Sequence, residues 1–311
     1  MSTTTTEVAA VTTAPGRTGR RTVPGPLAGM AASARAELLR LRAWPAVWVM
    51  VSVWLLLNLT FTYVFNYVAY ATGSTSFATE GVASDSLLAE LMPSAIPQIF
   101  TGGMPMFGGA IMFILGALAT GSGFGWGTWK TVLTQGPGRL AAFGGTLAAV
   151  ATIVTGVVAA TLAIDVAASV LIASAEGQSI VWPSLGALAE SVGAGLLISG
   201  MWAAGGVLVG VLTRSPALAV GLGLVWSLVV ENLLRGVGNL LSGVEYVTNV
   251  LPGTASGSLA GALGAANEPD GDGTPGVLTV LDGGPAALLT AAYLVAFVVV
   301  AAVLMRRRDV A

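Results

Sequence analysis

The sequence predicts an all-α, polytopic membrane protein with six transmembrane helices, an N-terminal surface helix and both termini in the cytoplasm. Three observations lead there. Of 311 residues, 55% are apolar and 9% charged, with a mean hydropathy of +0.83, whereas an ordinary soluble domain is about 25% charged. Six apolar stretches each approach or exceed the roughly 20 residues that cross a ~30 Å hydrocarbon core as a helix. The basic residues fall in alternate connections between those stretches, which orients the chain. A water-soluble globular protein is excluded by the first observation. A transmembrane barrel is disfavoured because no stretch alternates apolar and polar residues.

Residues 1–29 are rich in Thr, Pro and Gly and contain no apolar run, so they read as a disordered cytoplasmic tail. No secretory signal is expected, because the first apolar stretch lies far downstream and exceeds a signal core. Residues 30–45 read as an amphipathic surface helix, with Ala34, Leu38 and Leu41 at helical spacing, Arg35, Arg40 and Arg42 elsewhere on the circumference, and Pro45 closing it. Residues 46–305 form the transmembrane domain, with spans at about 46–70, 102–121, 140–174, 190–213, 215–234 and 285–305. Pro105 and neighbouring glycines loosen the start of the second span. The third would be roughly 52 Å long as one helix, so it must protrude, tilt or break. Residues 306–311 are a basic cytoplasmic tail.

All of the 13 basic residues except Arg235 fall on the side assigned to the cytoplasm, and Arg235 stands one helical turn after Glu231, where the two can pair. The assignment places the chain in the cytoplasmic membrane as a multi-pass protein. A formal net charge of −2 provides no basic field for nucleic acid. With no Cys and no His, the chain lacks the thiolate and imidazole ligands of zinc or iron sites, and no metal is expected. Counted along their helices from Arg139 and Arg214, Asp165, Glu190 and Glu231 all fall toward the outer boundary. They read as hydrated helix ends, so no midplane carboxylate is available for ion coupling.

The connection between spans two and three, GSGFGWGTWKTVLTQGPGRL, contains the chain's single Lys and two of its eight Trp. Here Gly127, Thr128, Lys130, Leu133, Gly136, Pro137 and Arg139 match a pattern, and the chain resembles the permease subunits of type 2 ABC transporters of the bacterial exporter class. That family's first cytoplasmic loop reads acidic-aromatic-x-x-Gly-Thr-x-(Arg/Lys)-x-x-Leu followed by a Gly/Ser-Pro-x-Arg turn. Gly123 stands where the family usually has Glu, ahead of Phe124. The resemblance implies an ATPase-coupling loop carried by Trp126, Gly127, Thr128, Trp129, Lys130 and Arg139. It further implies a separate ABC ATPase subunit that holds ATP and magnesium, a second permease copy as homo- or heterodimer, and export of a hydrophobic or amphipathic substrate. On residue physics alone, Trp126 and Trp129 read equally as interface anchors, and Lys130 and Arg139 as topology determinants.

The chain itself is not expected to bind a cofactor or to be an enzyme. Trp129 and Phe124 occupy the positions where a phosphate-binding loop needs glycine before and upstream of Lys130. Gly206 and Gly210 form a GxxxG in span four, suited either to packing within the chain or to a subunit interface. Span one carries Asn58, Thr60, Thr62 and Asn66, with Tyr63, Phe65, Tyr67 and Tyr70 toward its outer half, which reads as an aromatic belt or the lining of a path. The segment 236–266 is apolar enough to lie in or on the outer leaflet. Asp270 and Asp272 depart from a calcium loop at Thr274 and Pro275. A membrane anchor or assembly protein and an ion-coupled carrier are the competing functional readings.

Overall fold

Six helices in the computed structural model are long and apolar enough to cross a membrane, and the chain is a polytopic α-helical membrane protein. The structure describes residues 25–73, 84–135, 138–238, 242–265 and 274–307, and no strand occurs among them. Most of the N-terminal tail, together with Gly136, Pro137, Asp270, Asp272 and Arg308, lies outside the described residues.

Helix α1, Pro26–Ala43, starts on a proline at its first turn and ends as Trp44 turns extended ahead of Pro45. The six spans follow as α2 (Pro45–Thr72), α3 (Met104–Gly125), α5 (Arg139–Ala175), α6 (Leu185–Thr213), α7 (Pro216–Gly238) and α9 (Gly283–Arg307). Between α3 and α5 lies α4 (Thr128–Gln135), and between α7 and α9 lies the short α8 (Pro252–Ala260). Ser184 and Ser215 cap α6 and α7 by accepting from the backbone N–H groups of Ala187 and Leu218.

At the centre stand α3 and α6, each 67% buried over its most apolar window, against 33% or less for the other spans. Small residues make that intimacy possible in a solvent that offers no hydrophobic drive between helices. A Cβ on Gly116 would overlap the Ala203 carbonyl of α6, and one on Gly206 would overlap the Phe113 carbonyl of α3. Thr120 then donates its hydroxyl to the carbonyls of Gly116 (3.0 Å) and Val207 (3.3 Å), bridging both helices. The GxxxG of span four is thus consumed within the chain, since Gly210 also meets Thr120 and Ala117.

Several expectations need adjustment. The N-terminal helix starts four residues earlier than its pattern suggests and is docked on α5: Ser33 and Ala34 sit where a Gly145 side chain would be, and Leu41 is fully buried. The third span neither breaks nor kinks. Its 37 residues run as one helix of roughly 55 Å, and its first turns, at Ala141, Gly144 and Gly145, lie against α1. Three spans carry a π-helical segment, Leu59–Val64 in α2, Met104–Gly108 in α3 and Val225–Val230 in α7. Pro105 opens a widened turn, the loosening its position predicts, and the second span runs on from it.

Candidate functional site

The described residues singled out in the 121–139 connection gather at one end of the bundle, together with α1, Arg214 and the last turn of α9. This end contains every described basic residue except Arg235; it is called the basic end below.

Gly127 takes a left-handed φ of +66°, the turn that ends α3 and lets Thr128 open α4 in a new direction. The two tryptophans then part company. Trp129 is 6% exposed, donates its indole N–H to the Thr120 carbonyl at 3.3 Å, and packs against Phe124 at 5.9 Å between ring centroids. Trp126 is 62% exposed and meets Trp44 edge-on at 5.2 Å. Lys130 is exposed on α4, and Arg139 opens α5, half-buried. Trp129 is therefore the floor of the site and no interface anchor, whereas Trp126 and Lys130 present an aromatic and a cationic group outward.

Arg40, which the sequence places only on the surface helix, completes the site. From α1 its guanidinium donates to the Ser122 hydroxyl (2.9 Å) and the Ala119 carbonyl (2.8 Å) of α3, and it pairs with Glu37 one turn back. The same group lies over the Trp44 ring at 6.0 Å. Five planar donors suit this simultaneous grip on a hydroxyl, a carbonyl and a carboxylate. The surface helix and the end of span two are joined by it into one unit, to which the Trp129–Thr120 bond ties α4. Gly123, where the resembled family has an acid, is filled from outside: a Cβ there would stand 2.5 Å from the Trp129 Nε1.

Two buried polar clusters lie elsewhere, and both correct the reading of the acids as hydrated helix ends. Asp165 is 0% exposed and accepts from the Asn58 amide at 2.7 Å, one turn beyond a matching bond from the Trp54 indole to Thr161 (2.9 Å). The burial comes from the packing of α2 on α5, which sets Asn58, thirteen residues into its span, against Asp165. Further along the same seam, Tyr67 and Tyr70 donate to Glu176 at 2.7 and 3.2 Å, so these two rings are partnered and not merely a belt.

Glu231 is also 0% exposed. It pairs with Arg235 at 3.1 Å, as their spacing predicts, and accepts from the Trp226 indole (2.9 Å) and the Gly253 backbone N–H (3.3 Å). Helix α8 has no side-chain cap of its own and is wholly buried, so the carboxylate of α7 supplies negative charge to its N-terminus. Trp202, Ser227 and Arg235 border a small cavity beside this pair. Of the three acids, Glu190 alone is exposed as expected.

Among the described residues, no group of three or more metal-ligating side chains occurs. No known protein family matches this chain, and no curated protein matches it either.

Proposed function

We propose that this chain is the transmembrane permease subunit of an ATP-driven ABC exporter, with the basic end facing the cytoplasm of a bacterial cell and receiving a separate ATPase subunit. The observation that supports this reading best is the construction of α4. A short helix displays Trp126 and Lys130 outward while Trp129 beneath them is wedged against α3 and Arg40 ties that helix to α1. A push on such a helix is passed to spans two and three through packed side chains and hydrogen bonds, as a two-position transport element requires. The inward acceptor of that motion is α3, which shares its glycine-lined face with α6 at the bundle centre.

In this reading the chain binds no nucleotide; ATP and magnesium belong to the partner, and a second permease copy completes the path. An amphipathic substrate suits a bundle whose exposed apolar surface includes Phe61 and Phe107, stacked at 6.5 Å where two π-helical segments meet. The test is affinity purification of the full chain from its native membrane, followed by reconstitution. A soluble ATPase should co-purify, and vesicles should move substrate on addition of ATP. Purification without any ATPase, together with Lys130 and Trp126 substitutions that leave transport unchanged, would refute it. An assembly protein would give partners but no ATP-dependent flux.

A further inference from the structure

The Asp165 cluster has no part in the coupling described above, and its hydrogen bonds do not account for it. One carboxyl oxygen accepts from Asn58, while the other has no partner, and the Tyr63 hydroxyl, 1% exposed on α2, has none either.

Among the described residues no cation pairs with Asp165. The charged groups on the elements packed around α5 lie elsewhere. Arg35, Glu37, Arg40 and Arg42 of α1, Lys130 of α4, and Arg306 and Arg307 of α9 are all at the basic end, and Glu190 of α6 is exposed. A carboxylate buried without a counter-charge is costly, and within a membrane it marks a functional site by default.

Polarity around it is one-sided. Toward the basic end, beyond the Trp54–Thr161 bond, α5 buries Val158, Val157, Val154 and Val150. Toward the opposite end come Ser169, fully buried, and then Glu176, which Tyr67 and Tyr70 hold at a half-buried position.

We propose that Asp165 is a proton-binding site within the bundle, reached from the end opposite the basic one along the seam containing Tyr63 and Glu176. The carboxylate takes one proton from hydronium on that side, whose O–H bond breaks to leave water as the carboxyl O–H forms, and the charge of the side chain goes from −1 to 0; release reverses the step. Tyr63, whose hydroxyl is also unpartnered, lies five residues beyond Asn58 on α2. The proposal is independent of the ATPase reading, and its test uses no nucleotide.

The full chain in lipid vesicles is treated with dicyclohexylcarbodiimide, which attacks protonated buried carboxyls, and labelled peptides are quantified by mass spectrometry. Labelling of Asp165 should fall about tenfold for each pH unit above its midpoint, as a single titrating site requires, and should be the same in sodium and choline salts. Infrared difference spectra across a pH step should show a carboxylic C=O band that disappears in Asp165→Asn, a variant that retains an acceptor for Asn58. Tyr63→Phe should keep the band but slow its appearance. Labelling that does not change with pH overturns the proposal, and so does competition by sodium, which would mark an alkali-cation site. If either variant fails to fold, the pH and sodium arms on the unaltered protein still decide.

Discussion

The indole of Trp129 occupies the space that a side chain at Gly123 would need, with Nε1 2.5 Å from the position of a Cβ. One turn of α3 and the first turn of α4 are thereby locked by a large ring where a small residue is mandatory. Gly123→Glu should displace Trp129 and cost about 1–3 kcal/mol, as overpacking of a filled site does. Thermal unfolding in detergent measures it. Combining Gly123→Glu with Trp129→Ala should cost less than the two changes summed, because they share one space.

Arg40→Lys keeps the charge but cannot hold Ser122, Ala119 and Glu37 together. Helix α1 should then detach more readily from α3. Amide hydrogen exchange over residues 26–43 should accelerate while the α3–α6 core stays protected. An unchanged exchange pattern would show that α1 is held by its packing on α5 alone.

Glu231→Gln retains hydrogen-bonding capacity toward Gly253 and Trp226, whereas Glu231→Ala leaves Arg235 with the Asn232 amide but no counter-charge, and the α8 N-terminus without its carboxylate. The alanine variant should lose about 3–5 kcal/mol, the range for breaking one half of a buried ion pair. Arg235→Ala in the same background should recover part of that loss. Chemical unfolding of the four proteins of the cycle provides the comparison.

Gly206→Leu and Gly210→Leu distinguish two uses of a small-residue motif. Because both glycines meet α3 within the chain, each leucine should lower the unfolding temperature without changing the oligomeric mass seen by light scattering in detergent. Loss of an oligomer with folding intact would reassign the motif to a subunit interface.

Trp126→Ala and Lys130→Glu act on exposed groups. Surface changes of this kind stay within about 0.5 kcal/mol in stability. Both should nonetheless weaken capture of the proposed ATPase, and the Lys130 effect should shrink at high salt, where exposed charges are screened. Pull-down yields at matched expression test this.

The six spans were readable because crossing ~30 Å of hydrocarbon needs length and apolarity, which are properties of a run of residues. The Glu231–Arg235 pair was readable for a similar reason, since one helical turn separates them. Asn58 and Asp165 were not, because they lie 107 positions apart and only the packing of α2 on α5 brings them together. The enclosure of Asp165 was hidden for the same cause, since a carboxylate near a helix end is wet or buried according to which helix packs over it. Trp126 and Trp129 looked alike in the chain and became opposite in the fold.

By itself, then, the sequence determined that this protein is a bundle of membrane-crossing helices with its basic residues segregated into alternate connections, because solvent and chain length act on each segment independently. Tertiary structure decided which glycines are spent on the α3–α6 contact, which tryptophan is floor and which is surface, and that two acids are enclosed among the helices. Those outcomes depend on distances between segments far apart in the chain, and such distances exist only once the helices have packed.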